Sequence, residues 1–528
     1  MSTSTSPTSF TGALATPHAL ATRAGMRAYR DGGSAIDAAI AAAAVLTVVY
    51  PHNVALGGDL IAIVRSPGGD VRCVNASGWA ANGADAAVLR SRHGRSLPVR
   101  GVDTVTVPGG VRGWEAMRRL GARLSWDRTL QAAQELATGV PVAPSLAAHI
   151  ADAENSDLVG TDDFDRIFCP GGRSLQVGDE LKQSALALTF GTLRELGPDG
   201  FYEGELAERM VDFLRSRGSL LTAEDFAVFQ PEITDPIAVR VGELTVMTSP
   251  PNTHGFLLLR ALKAIEELGI TDPLGDGIGR LMRIFHRGNE LRHLTLADPR
   301  HVAVDVHALV NGDLGGLCDP GAASPEPVPV PRGDTVGIAA ADNDGYAVSL
   351  IQSVYHAFGS GLIDPETGIL FHNRGTCFSL DDASTNVIAP RKRPAHTLMP
   401  AMTTQNGAVR HVLSTMGGQG QPQIIAQLLL RAMAGEGAES VVAAPRAIVG
   451  YQSDRSTADT VSAEADVAAV ARDSLRRSGL SIVDVPPHTE ALGQANVVFT
   501  GSDGSMTAAS DPRSDGAAIV AHYPRHRN

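Results

Sequence analysis

One stretch near the middle of the chain limits its fold more than any other. Thr335-Val336-Gly337-Ile338-Ala339-Ala340-Ala341-Asp342 reads as a small-residue core strand, and Ala347 to Ser353 reads as its return. Between them, Asn343-Asp344-Gly345 supplies the residues of a hairpin turn. Directly upstream, Pro325-Glu326-Pro327-Val328-Pro329-Val330-Pro331-Arg332 cannot pair as a central strand and is expected to be exposed. An exposed tract running into a core strand that opens on threonine has a chemical use. Cutting the Asp334–Thr335 bond would leave the Thr335 hydroxyl beside its own α-amine, which can serve as its base. Taken alone, the pattern is also what a β-branched residue in a favourable strand position would give.

A second feature carries chemistry. Val412 to Met416 reads as a strand, followed by Gly417-Gly418-Gln419-Gly420-Gln421-Pro422-Gln423 and a helix to Ala434. Two consecutive glycine N–H groups at a helix start can face a developing oxyanion without Cβ obstruction.

The remaining sequence bounds the class. With 528 residues the chain is too long for one simple core and long enough for two large intertwined segments. Its 44 basic and 57 acidic residues give −13, which argues against nucleic acid and anionic membrane as partners. Cys73, Cys169, Cys318 and Cys377 lie far apart, without a C-x-x-C pair, so neither a metal site nor a disulfide framework is expected. No basic start or apolar run opens the chain, and a cytoplasmic location is the expectation. Ala35 to Val49, capped by Ser34 and stopped by Pro51, is an apolar core helix too short to span a bilayer. Leu56-Gly57-Gly58-Asp59 reads as a turn before the strand Leu60 to Arg65, and helices are expected over 256–268, 278–298 and 306–318.

Gly333 to Ser379 resembles the start of the small subunit in the γ-glutamyltranspeptidase family. The matching pieces are Gly333-Asp334-Thr335, Asp344-Gly345, Phe358-Gly359-Ser360-Gly361, Thr367-Gly368-Ile369-Leu370 and Asn373-Arg374-Gly375. Gly32-Gly33, Leu56-Gly57-Gly58-Asp59, Val107 to Trp114, Ser249 to Gly255 and Ala508 to Arg513 extend the likeness over nearly the whole chain. The resemblance implies an α/β fold, the four-layer αββα sandwich of N-terminal-nucleophile hydrolases. It implies a proenzyme cut into 1–334 and 335–528, the fragments staying together as a heterodimer or as a dimer of such pairs. It makes Thr335 the nucleophile, Ser353 its hydrogen-bond partner, and Gly417 and Gly418 the oxyanion donors. Its substrate would be a small amide or acyl compound, with no organic cofactor or metal.

The departures from the family pattern fall where a glutamyl substrate would be held. Ser77 or Gly78 stands where the family has an arginine for the α-carboxylate, with Trp79 close by. Tyr355 replaces an asparagine, Arg374 after Asn373 replaces a glutamine, and Cys377 replaces the aspartate expected to bind the α-ammonium. His396 and Thr397 replace a serine pair. Losing an anion and gaining a guanidinium suits a carboxylate without an amine. Asn373-Arg374-Gly375 and Gly417 to Gln423 are instead similar to the family's amidohydrolase branch, which includes enzymes acting on oxamate. That branch also resembles enzymes releasing an oxalyl group by C–C cleavage in actinobacterial secondary metabolism. A true γ-glutamyl hydrolase or transferase, and a non-cleaving binding or scaffold homologue, remain the alternatives.

Overall fold

A computed structural model describes residues 9–314, 334–452 and 456–524. The Pro-rich tract and the last part of the expected 306–318 helix lie outside the described residues. Within them that helix runs Val306–Asn311.

The hairpin expected at Thr335 lies inside a seven-stranded antiparallel sheet. Its strand order is Ala517–Pro524, Ser9–Thr16, Asp334–Asp342, Ala347–Tyr355, Asp59–Arg65, Val71–Ala76 and Glu232–Thr234. Asp342 Oδ1 accepts from the Asp344 and Tyr346 amides, which closes the hairpin turn. A second antiparallel sheet has the order Met506–Ser510, Ala495–Thr500, Ala408–Thr415, Ala401–Gln405, Leu244–Thr248 and Ile237–Val241.

The two sheets pack face to face. Ala13, Ile63, Ala339 and Ala341 of the first meet Met247, Met402, Val412 and Val498 of the second. Gly337 is needed at this interface, because a Cβ there would lie 2.8 Å from the Thr415 amide nitrogen. The close approach explains the run of small residues in the Asp334–Asp342 strand.

Helices cover both outer faces. On one side Ala35–Val49 is buried at every position, its start held by the reciprocal Ser34–Asp37 cap. On the other, Phe256–Glu267, Ile278–Thr295 and Gln421–Met433 close a second core. The expected helix–sheet–sheet–helix sandwich is therefore the architecture observed. Among the described residues no helix is long and apolar enough to cross a membrane.

Candidate active site

Thr335 is the second residue of its strand and is buried. Its Oγ1 lies 3.0 Å from Ser353 Oγ on the neighbouring strand. Ser353 donates its one proton to the Asp334 carbonyl oxygen at 2.6 Å and accepts from the Tyr355 amide at 2.8 Å. With that proton committed, the Thr335 hydroxyl is the donor of the pair. The register between the strands shifts between Gln352 and Tyr355, and Tyr355 sits at φ +80°, a backbone strain of about 1–3 kcal/mol. That bulge turns the Tyr355 amide onto Ser353. One serine thus touches both the Thr335 hydroxyl and the carbonyl of the bond before it.

A titratable cluster adjoins Asp334. His149 Nε2 is 3.9 Å from Asp334 Oδ1, and Ser145 Oγ donates to Glu490 at 3.0 Å. His52, His149 and Glu490 have ligand-type atoms within 4.8 Å of one another, the one such group among the described residues. Hydrogen bonding already occupies part of it, since His52 Nε2 lies 3.1 Å from Ser145 Oγ. Burial, with Asp334 adding repulsion, pushes Glu490 up to about 7; burial opposes charging His149, but Asp334 and Glu490 raise it. A carboxyl raised on folding favours the folded state below its unfolded pKa and loses that contribution as pH rises to the folded value. Glu490→Gln, made in the uncut Thr335→Ala chain, is therefore expected to gain stability over its parent as pH rises from about 5 to 8. The gain should be on the order of 1 kcal/mol or more, read as thermal midpoints across pH. An equal difference at both ends would contradict the shift.

The glycine pair stands where the Ala408–Thr415 strand gives way to the Gln421–Met433 helix. Gly417 has φ +142° and Gly418 φ +50°, and Pro422 opens the helix behind them. Among the described residues neither glycine amide donates to a backbone carbonyl. A Cβ at Gly417 would come 2.4 Å from Ile424 Cδ1 in a conformation closed to L-residues. On the oxyanion role that the resemblance implies for these amides, Gly417→Ala is expected to lower kcat on the order of 10²–10³-fold, the usual cost of one displaced donor. Steady-state kinetics on the processed enzyme would show this, and an unchanged kcat would remove these amides from the reaction.

A cavity of about 530 Å³ is lined by Tyr355 and Gln419, with Thr335, Ser353 and both glycines outside its lining. Asp334 and Gly417 line a second cavity of about 250 Å³, which shares Gln419 with the first. Of the expected substrate residues, Tyr355, Cys377, His396 and Thr397 line the larger cavity. Asn373 and Arg374 are fully buried outside its lining. Asn373 accepts from the His356 amide and donates to the Val99 carbonyl. Arg374 donates from Nε to Asp59 Oδ2 at 2.8 Å and from Nη1 to Thr397 Oγ1 at 3.1 Å. Its guanidinium lies 4.2 Å from the centre of the Tyr355 ring. Trp79 packs edge-on against Phe229 and lies outside the cavity lining.

Asp59 is the hub of this wall. It accepts from Arg374 and from His396 Nε2 at 2.7 Å, with His372 3.7 Å away. Burial penalises its charge, but Arg374 and His396 outweigh that and hold its carboxyl well below the usual range. His396 Nδ1 accepts from the Leu398 amide, so the proton sits on Nε2, and burial lowers its pKa to about 4. The charge of Arg374 is thus already balanced within the wall. Sequence reasoning passed over Asp59 as a turn residue, although an acid opening an apolar strand was its signal. It also passed over His149 and Glu490 beside Asp334, which occupy ordinary-looking helical or loop positions.

Known proteins place these features in context. A family model for gamma-glutamyltranspeptidase matches residues 21–521. The oxamate amidohydrolase proenzyme of Klebsiella pneumoniae is 35% identical, covering 96% of this chain and 98% of its own. The glutathione hydrolase-like YwrD proenzyme of Bacillus subtilis is 32% identical, with coverage of 96% and 98%. Among solved structures, cephalosporin acylase from Bacillus halodurans has a TM-score of 0.86 at 30% identity, covering 98% of this chain and 97% of that one.

Proposed function

Because the chain belongs to the γ-glutamyltranspeptidase family, we propose that it is an autoprocessed hydrolase whose nucleophile is Thr335, acting on a small carboxylate-bearing amide of the oxamate type. The observation that carries this reading is the Ser353 hydroxyl, which bonds the Asp334 carbonyl and the Thr335 hydroxyl together.

In the uncut chain Thr335 Oγ attacks the Asp334 carbonyl carbon, which the Ser353 proton polarises. The C–N bond breaks, the Thr335 amine takes a proton, and an ester links the two segments. Water hydrolyses that ester, leaving Asp334 as a carboxylate terminus and Thr335 as an amino terminus. The products are residues 1–334 and 335–528, held together by the two sheets they share.

Turnover repeats the same bond changes on a donor. The Thr335 amine accepts the hydroxyl proton while Oγ attacks the donor carbonyl. The Gly417 and Gly418 amides receive the oxyanion, and the departing amine takes the proton back. Water then resolves the acyl-enzyme.

The wall around Tyr355 favours a donor without an α-amine. Burial raises the pKa of Cys377, so it stays a neutral thiol, and Asp59 behind it is committed to Arg374 and His396. An ammonium pressed against this wall would lose water without gaining an anion, costing several kcal/mol. Oxamate and γ-glutamyl-p-nitroanilide test the point by release of ammonia and of nitroaniline. A higher kcat/KM for the carboxylate donor is expected, and equal values would refute the substrate assignment.

A further inference from the structure

Arg292, on the Ile278–Thr295 helix, differs from the other buried arginine at this site. It is only 7% exposed, yet among the described residues no carboxylate pairs with it. Its Nη2 donates to Gln419 Oε1, on the residue that follows the glycine pair, and lies 3.3 Å from His293 Nε2. Its Nη1 has no hydrogen-bond partner in the described structure. The Tyr355 hydroxyl is likewise buried, with the Cys377 thiol as its neighbour and no nitrogen or oxygen partner among the described residues. Both residues line the 530 Å³ cavity, and the two groups lie within electrostatic reach of each other. Glu290 also faces the cavity but is tied to Arg287 at 2.7 Å.

A buried guanidinium with an unused N–H is costly unless a ligand satisfies it. Burial lowers Arg292 to about 10 and raises the Tyr355 phenol, so at neutral pH the first is a cation and the second a neutral donor. An unpaired charged donor, with a phenol beside it held only by a weakly accepting thiol, matches the two oxygens of a carboxylate.

We propose that Arg292, assisted by the Tyr355 hydroxyl, is the anchor for the carboxylate of the acyl donor. The inference rests on the carboxylate-donor reading above and adds the residue that recognises it. Arg374, already neutralised by Asp59, acts by positioning Tyr355 under its guanidinium. The cavity is larger than oxamate requires, so the anchor also admits acyl chains ending in a carboxylate further from the amide.

The test uses the processed enzyme with a series of monoamides of dicarboxylic acids from oxamate to glutaramate, each beside a neutral amide of similar length. Wild type is expected to favour the charged member of each pair. Arg292→Gln is expected to raise KM for the charged donors about 10–100-fold, and at least tenfold more than for their neutral partners. Arg292→Lys should recover part of that difference, and Tyr355→Phe should show a smaller loss of the same sign. Comparing charged with neutral donors cancels general damage to the fold. If wild type prefers charged donors and Arg292→Gln changes both kinds equally, the anchor is refuted while the carboxylate-donor reading stands. If wild type prefers neutral or γ-glutamyl donors, that reading falls and the anchor falls with it.

Discussion

Thr335→Ala is expected to run as a single chain of 55.1 kDa under denaturing conditions, while wild type separates into two fragments. The substitution removes only a hydroxyl and a methyl from a buried strand start, so the sandwich should persist. On the proposed mechanism, what disappears is the atom that attacks the Asp334 carbonyl, and with it the free α-amine that would act as base. Loss of turnover should be on the order of 10⁶-fold, as when other enzymes lose both nucleophile and base function. Thr335→Ser keeps the hydroxyl and should process and turn over, though more slowly. A normally processed Thr335→Ala protein, or one retaining activity, would remove Thr335 from the chemistry.

The largest stability effect is expected from Asp59→Ala, made in the Thr335→Ala chain so that one unbroken polypeptide unfolds. Asp59 and Arg374 are both fully buried, and their ion pair is 2.8 Å long. Removing the carboxylate strands a guanidinium in the core and leaves His396 Nε2 without its acceptor. The expected loss is about 3–5 kcal/mol, seen as a lower denaturant midpoint at neutral pH. Asp59→Ala with Arg374→Met removes both charges and should recover much of it. Because Asp59 is held below its ordinary pKa, its contribution is present above the unfolded carboxylate pKa and fades only in strong acid. A loss under about 1 kcal/mol would mean that Arg374 finds compensation elsewhere.

The central hairpin was legible because its signals are local. Asn343-Asp344-Gly345 dictates a turn, and small residues on both sides dictate strands that approach another sheet closely. The glycine pair before the Gln421–Met433 helix was legible for the same reason, since φ +142° at Gly417 admits little else. The cavity wall was only half legible. The four positions Tyr355, Cys377, His396 and Thr397 meet at the cavity, but the sequence could not show that Arg374 is consumed by Asp59, 315 residues away. Nor could it show that Arg292, one cation on a helix with several, has an N–H left unpaired by burial. Long-range ion pairing decides which charges a ligand meets, and such pairing has no local periodicity to read.

The most direct test of Thr335 as the self-generated nucleophile is intact-mass and peptide analysis of wild type quenched during turnover of a carboxylate-bearing amide. The account predicts two fragments, the smaller beginning at Thr335 and carrying the acyl mass on that residue. An unbroken chain, a fragment beginning at any other residue, or an acyl mass on a different side chain would contradict it.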